Sequence, residues 1–228
     1  MNAKTKVTVS SLNEFIGALN NKTPQVIEIN TSIVSPHSLT LPRGFGLCGQ
    51  HGTEALLGFS EGGLGLVGDN SVTHLTLVAA PASRALYLVA GSEDYGTLEL
   101  KHLNVTGQVG LIFRGGAEKA FIHADGVHVS ACDSRAYNEQ PQRYGVNVLQ
   151  GAFTLYNFNA SQTSVLHAKL SHISVGSKRA PVLGSGIFIS GFGDGLGSVE
   201  IEKLTIGQVF SHGLLTAGTD LAPEKRTP

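Results

Sequence analysis

The fold is decided by a stretch that reads Leu98-Glu99-Leu100-Lys101-His102-Leu103-Asn104-Val105. Its apolar residues alternate with polar ones, slip by one position at Lys101-His102, and then alternate again. In a straight strand such a slip would turn the later side chains to the opposite face. A sharp bend in the backbone keeps all the apolar side chains on the inner side. The pattern therefore predicts two short strands joined by a tight bend.

The same bent phrase returns along the chain, and a shorter phrase lies between its copies. The shorter phrase is an apolar run opened by a small residue, at Ala85, Gly110, Gly145, Gly186 and Gly213. A repeat of about 22–30 residues built from short strands is typical of a solenoid, in which each unit buries its apolar face against the next. The apolar positions of the bent phrase recur at Ile122, Ala124, Val127 and Val129, at Ala168, Leu170, Ile173 and Val175, and at Val199, Ile201, Leu204 and Ile206.

Three strands per repeat, each parallel to its equivalent in the next repeat, predict an all-β fold, a single-stranded parallel β-helix of about seven coils. Residues 11–20 read as a short amphipathic helix with Leu12, Phe15, Ile16 and Leu19 on one face. A helix placed just before the first strand, which we expect at Val26-Ile27-Glu28-Ile29, should cover the N-terminal end of the core. We expect the β-helix domain to span residues 1–218 and the polar segment 219–228 to be a disordered tail.

The whole pattern resembles the right-handed parallel β-helix of the pectin lyase-like superfamily. The helix and strand at Ser11–Ile29 and the segment Leu39–Gly49 look like the N-terminal cap and early coils of that group. The resemblance covers about residues 8–217 and implies a right-handed coil and a carbohydrate ligand or substrate. It is a resemblance of pattern, because Asp125-Gly126 and Ser211-His212-Gly213 match the catalytic motifs of polygalacturonases only weakly. No catalytic motif of a lyase or a hydrolase transfers residue by residue.

The composition limits the classes of partner. The chain has 228 residues, 14% of them charged and 7% aromatic, with 29 glycines and no tryptophan, which suits tight turns and an aliphatic core. A net charge of −1 gives no electrostatic footprint for nucleic acid. No apolar run reaches the roughly 18–20 residues that a membrane helix needs, so no membrane partner is expected. Residues 1–10 lack the apolar stretch of a secretory signal, so we expect a cytoplasmic protein unless a signal peptide has been removed.

The largest interruption of the repeat, residues 131–144, is the candidate site. Binding residues are concentrated on loops that a rigid scaffold holds in place. We expect this polar loop and the turns beside it to line a groove whose cationic and acidic groups suit an anionic sugar polymer. The alternative is a solvated insertion whose charges only keep the loop soluble. The candidate catalytic residues are Asp133, Glu139, Arg135 and Arg143, and the candidate substrate-binding residues are Tyr137, Tyr144, Arg84, Lys178 and Arg179.

Histidines occupy one position of the bent phrase and form a predicted column. His74, His102 and His172 each precede the third apolar position, so His74 and His102 should lie about 5 Å apart on neighbouring coils. Gly126 takes that position in the coil that follows, which leaves no third ligand for a transition metal. We therefore expect a surface column, no metal site and no cofactor.

The sequence does not decide whether the protein is an enzyme, a binding protein or a structural protein. The leading hypothesis is a carbohydrate-binding or carbohydrate-processing β-helix protein that holds a polysaccharide beside residues 131–144. If it is an enzyme, it is expected to be a polysaccharide lyase or a glycoside hydrolase whose carboxylates act as acid or base and whose arginines clamp anions. The competing hypothesis is a non-catalytic structural, assembly or adhesin-like scaffold, and a third is a degenerate relative that retains only ligand recognition. Because the last coil lacks an obvious cap, a homo-oligomer formed through that coil is also expected.

Overall fold

The protein is all-β in the residues that its structure, a computed structural model, describes: 4–90, 94–113, 119–136, 138–139, 148–157, 165–191 and 196–217. Within these residues it has one α-helix, and its two large sheets consist of parallel strand pairs. The all-β class and the parallel pairing expected from the repeat are confirmed. The predicted tail, residues 219–228, lies outside the described residues.

The elements follow one another in short succession. Helix α1 spans Leu12–Leu19 and a 3-10 turn spans Ser134–Ala136. The strands are β1 (Lys6–Val9), β2 (Val26–Ile29), β3 (Ser32–Ser35), β4 (Leu39–Leu41), β5 (Gly46–Gly49), β6 (Leu56–Phe59), β7 (Leu64–Leu66), β8 (Ser71–Val78), β9 (Arg84–Leu88), β10 (Gly96–Thr106), β11 (Gln108–Phe113), β12 (Lys119–Ser130), β13 (Asn138–Glu139), β14 (Val148–Leu149), β15 (Gly151–Asn157), β16 (Val165–Ser171), β17 (Ile173–Val175), β18 (Ser185–Gly191), β19 (Leu196–Ile201), β20 (Leu204–Ile206) and β21 (Leu214–Ala217).

The chain passes back and forth between two parallel sheets. Sheet A has 12 strands, with the order β1-β2-β5-β8-β10-β12-β16-β19 along its main path and β3, β6, β17 and β20 beside it. Sheet B has 7 strands, in the order β4-β7-β9-β11-β15-β18-β21. From β2 onward, the chain enters sheet B after each passage through sheet A and then returns to the next position of sheet A. We call one such passage through both sheets a rung.

The bends predicted in the middle of the repeated phrase are present. His74, His102 and Gly126 lie inside the long strands β8, β10 and β12 and have φ values of 52°, 54° and 65°, and His172 lies between β16 and β17 with a φ of 53°. These values belong to the left-handed region, which turns the chain sharply and costs a non-glycine residue of the order of 1 kcal/mol. The one-residue slip in the sequence therefore marks a left-handed corner.

The core consists of columns of aliphatic side chains between the sheets. Leu98, Leu100, Leu103 and Val105 of β10 are all buried, as the bent phrase predicts. Each is paired in parallel register with an apolar residue of β12, for example Leu98 with Ile122. Equivalent side chains therefore stack on one another from rung to rung.

One predicted strand is wrong. The phrase opened by Gly145 was expected to join the repeated sheet, but Val148–Leu149 pairs antiparallel with Asn138–Glu139, and residues 145–147 lie outside the described residues. The place in sheet B is taken by Gly151–Asn157, which pairs in parallel with β11 and β18. Both stretches open with glycine and alternate, so periodicity alone does not distinguish them.

The N-terminal end of the core is covered by helix α1. The Ser11 hydroxyl accepts a hydrogen bond from the Glu14 amide at 3.3 Å, and the Glu14 carboxylate accepts one from the Ser10 amide at 2.7 Å. These bonds fix the start of the helix by satisfying amides that would otherwise lack partners. Phe15 and Ala18 are buried against the core, whereas Ile16, expected on the same face, is 39% exposed. The helix does not precede the first strand as expected, because β1 comes before it and pairs with β2. No helix in the described residues has the length and apolar character needed to cross a membrane.

Candidate functional site

The candidate residues that the structure describes lie in four places along the chain. Asp133 and Arg135 lie together around the 3-10 turn, and Arg84 begins β9. Lys178 and Arg179 are exposed in the turn that follows β17. The backbone of Glu139 lies in β13. The remaining candidates, Tyr137, Arg143 and Tyr144, lie outside the described residues.

The beginning of the candidate loop is built into the stack of rungs. The Asp133 amide donates to the Pro81 carbonyl at 2.7 Å, and Asp133 forms a parallel bridge with Leu183. The Leu183 amide donates to the Cys132 carbonyl at 2.8 Å. The Ala131 amide bonds to Ala180, which follows directly after Arg179. The candidate loop and the turn with Lys178 and Arg179 are therefore neighbours on adjacent rungs.

Asp133 and Arg135 neutralise each other. The guanidinium donates two hydrogen bonds to the carboxylate, from Nε to Oδ1 at 2.8 Å and from Nη2 to Oδ2 at 2.7 Å. The side-chain hydrogen bond from Arg135 lowers the pKa of Asp133, and the same bond raises the pKa of Arg135. A carboxyl group held in its ionised form cannot supply the proton that a glycosidase acid must donate. The geometry thus favours a binding role for this pair over an acid role.

Ser134 anchors the turn, although no motif in the sequence marks it. Its side chain is buried and accepts a hydrogen bond from the Ser185 amide at 2.9 Å, while its hydroxyl lies 3.1 Å from the Ser185 carbonyl. A Cβ atom at Gly184 would collide with the Ser134 hydroxyl, so this close approach requires glycine at that position. The ion pair of Asp133 and Arg135 is therefore held on β18 by the residue between them.

A glutamine network, formed by Arg84, Gln108, Gln150 and Thr154, lies at the end of sheet B where its strands begin. Arg84 Nε donates to Gln108 Oε1 at 3.0 Å, and Arg84 Nη2 donates to Gln150 Oε1 at 3.3 Å. Gln108 Nε2 and the Thr154 hydroxyl both donate to the Gly151 carbonyl, at 2.9 Å each. Gln108, Gln150 and Thr154 are buried, and the Nε2 atom of Gln150 has no hydrogen-bond partner among the residues that the structure describes. A buried donor without a partner is uncommon and costs about 1–3 kcal/mol.

The network and the ion pair are connected through the backbone of sheet B. Gly151, which accepts two bonds of the glutamine network, is paired with Ser185. Ser185 in turn is bonded to Ser134, between Asp133 and Arg135. The structure therefore brings three of the predicted residues, Arg84, Asp133 and Arg135, to the same end of sheet B. The glutamines were missed because their partners are far away in sequence and no local spacing marks them.

A second apolar cluster lies beside the network. Ile112, Tyr156 and Phe188 are buried together, apart from the main core, and Leu215 packs against them. The rings of Tyr156 and Phe188 meet edge to face, with centroids 5.4 Å apart. Sheet B is therefore rigidly packed next to the candidate site.

Cys132 does not supply a nucleophile. Burial raises the pKa of its thiol to about 12, and the adjacent Asp133 carboxylate acts in the same direction. A reactive cysteine needs a thiolate, which this environment suppresses. Cys132 and Cys48 are both free thiols.

The histidine column is present on the surface. The rings of His74 and His102 are stacked with centroids 4.7 Å apart, close to the spacing predicted from neighbouring strands. His172 Nδ1 lies 3.0 Å from a carboxylate oxygen of Asp125. A cavity of about 640 Å³ lies beside His74 and His102 and is also lined by His51 and Glu54. In the described part of the chain, no three His, Cys, Asp or Glu side chains are arranged to hold a metal ion.

Comparison with known proteins gives no relative: no family model matches this chain, and no curated protein and no solved structure is significantly similar to it.

Proposed function

We propose that this protein is a right-handed single-stranded parallel β-helix of the pectin lyase-like type. The supports are seven passages of the chain through sheet B, the left-handed corners at His74, His102, Gly126 and His172, and the helix over the N-terminal end. In such a fold each rung is one coil, and the turns between strands carry the specific residues.

The proposed activity is binding of an anionic polysaccharide across the turns that contain residues 131–135 and 177–180. The observation that carries this proposal is the positive charge of these two segments, which are joined to each other by backbone hydrogen bonds. Lys178 and Arg179 are exposed, and the side chain of Arg135 remains partly exposed while it neutralises Asp133. The surface therefore has a positive excess, which suits carboxylate or sulfate groups on a sugar chain.

Binding is proposed here without catalysis. Asp133 is held ionised by Arg135, so it does not suit the role of a general acid, and burial keeps the Cys132 thiol protonated, so it does not suit nucleophilic attack. The hydrogen bonds through Ser134 and the glutamine network serve to position Arg135 and Arg84. A rigid, preorganised surface loses little entropy when it binds a long ligand.

The test is a glycan array that includes acidic polysaccharides, followed by calorimetry on the best ligand. The double variant Lys178→Ala/Arg179→Ala is expected to bind at least about tenfold more weakly, since charge-assisted hydrogen bonds contribute about 1.5–3 kcal/mol each. The matched control is Lys22→Ala/Arg43→Ala, which removes the same charge elsewhere on the surface. Binding of no acidic glycan, or equal weakening in both double variants, would overturn the proposal.

A structural or assembly role is the second candidate. The observation that favours it is the exposure of apolar side chains in the last rung, among them Ile201, Ile206 and Leu214. A protein that only binds a sugar chain has no need of such a surface.

A further inference from the structure

The last rung, β19 to β21, leaves the core columns open at one end. Ile201 is 45% exposed, while Leu170, its partner one rung earlier, is 0% exposed. Ile206 is 37% exposed and its partner Val175 is 0% exposed. Leu214 is 44% exposed and its partner Ile187 is 0% exposed.

The backbone of the last rung is open as well. In the described residues, β19, β20 and β21 pair only with β16, β17 and β18, so each has a strand on one side. An edge strand presents unpaired amides and carbonyls and is a template for another strand. Three such edges around an exposed apolar centre make a continuous surface for docking.

We propose that the last rung binds the last rung of a second copy of this chain, giving a closed tail-to-tail dimer. A two-fold axis perpendicular to a sheet runs the edge strands of the two copies antiparallel and lets them exchange hydrogen bonds. The same rotation places the apolar side chains of both copies in one common core. This inference does not depend on carbohydrate binding.

Helix α1 decides against a head-to-tail arrangement. At the N-terminal end β1, β3 and β4 are also paired on one side only in the described residues, but Phe15 and Ala18 are buried beneath the helix, so this end offers a second molecule no exposed core columns. A head-to-tail contact would repeat without closing and form a fibre. The tail-to-tail contact uses each open end once and closes.

The size and charge of the surface suit a second copy. Residues 196–217 of the last rung number about 22, and a standard interface uses about 20–30 residues from each partner. Glu202 and Lys203 are exposed neighbours at the corner between β19 and β20, and one carboxylate oxygen of Glu202 accepts a hydrogen bond from the Ser171 hydroxyl at 3.1 Å. Adjacent residues of opposite charge are self-complementary across a two-fold axis, because each faces its opposite in the other copy.

The first test is sedimentation of the full chain over a range of concentrations. We expect a dimer for the wild type and monomers for Ile206→Glu and Leu214→Glu, because each places a charge in the shared core. The matched control is Val34→Glu, since Val34 is 58% exposed in β3, far from the last rung, and this variant is expected to dimerise like the wild type. A monomeric wild type, a dimer that survives both end variants, or a control that dissociates equally would overturn the proposal.

A second measurement requires no change in the last rung. Spin labels are placed on α1 through Asn13→Cys in a Cys48→Ala background, and the distance between the two labels is measured by pulsed electron spin resonance. Seven rungs at ~4.8 Å each are ~34 Å long, so a tail-to-tail dimer places the labels about 70 Å apart. A distance near 35 Å would indicate head-to-tail stacking and a shorter one would indicate contact between caps, and either result would refute the proposed arrangement.

Discussion

The core columns are covered at one end of the stack of rungs and partly exposed at the other. At the N-terminal end the core columns finish under helix α1, where Phe15 is buried. At the C-terminal end the same kind of column finishes at Ile206 and Leu214, which are partly exposed. A stack of rungs has no natural end, because each rung is covered only by the next one. The cover is part of the chain at one end, and we have proposed that a second copy supplies it at the other.

The largest difference between the ends is expected from removing one apolar side chain at each. Phe15→Ala should lower the free energy of unfolding by about 3–5 kcal/mol, because the substitution leaves a cavity under the cap. Leu214→Ala should cost less than about 1 kcal/mol in the monomer, since much of the side chain is already in contact with water. Urea unfolding at a protein concentration below that of association measures both. Equal losses in the two variants would contradict the assignment of one closed end and one open end.

A smaller effect is expected at the start of the cap. Ser11→Ala removes the acceptor for the Glu14 amide and should lower the free energy of unfolding by about 1 kcal/mol. Ser11→Thr keeps a hydroxyl and serves as the control. Hydrogen exchange should report faster opening of α1 in the alanine variant, with β18 unchanged. Faster exchange in the last rung alone would mean that the helix does not close the N-terminal end.

The cap can also be strengthened. Gly17 lies within α1, and a Cβ atom there would meet nothing within 4 Å. Gly17→Ala should therefore raise the free energy of unfolding by about 0.5–1 kcal/mol, because alanine loses less entropy in a helix. Thermal unfolding followed by circular dichroism measures the gain. A lower midpoint for this variant would indicate that the helix surface is not free at this position.

The smallest effect concerns acid sensitivity near the closed end. Lys6 of β1 donates a hydrogen bond to Glu28 of β2, and this bond lowers the pKa of Glu28 below its ordinary value of 4.5. The stabilisation is present above the unfolded pKa and is lost as the pH falls through the lower folded pKa. Stability measured from about pH 6 to about pH 3 should therefore fall more steeply in the wild type than in Glu28→Gln. Parallel curves would show that the ion pair does not stabilise the β1–β2 pair.

The repeat itself could be predicted because burial is periodic along the sequence. Leu98, Leu100, Leu103 and Val105 face the core in the order that alternation and a single slip require. The histidine column followed from the same register, and the left-handed backbone at His74 and His102 explains why the slip occurs there. The local sequence is sufficient to predict which way a side chain faces where the same environment recurs from rung to rung.

The candidate site was less predictable, because its contacts join residues that no local pattern relates. Gln108 bonds to Gly151 and Ser134 bonds to Ser185, across neighbouring rungs. The strand at Gly151–Asn157 was missed for a similar reason, since the choice between it and the phrase at Gly145 depends on pairing with β11 and β18. Charge alone identified Asp133 and Arg135 as candidates, and only the geometry shows that they pair with each other.

The left-handed corners restrict how the length of this chain can change over evolution. A deletion of one residue between Leu98 and His102 would move Leu103 into the left-handed corner, where a bulky side chain is strained. It would also reverse which side chains of the strand face the core and which face solvent. An insertion in a connection between the two sheets, for example between β9 and β10, would leave every corner residue in place. Length variation among descendants of this gene should therefore be confined to the connections, while the bent phrases keep a constant number of residues.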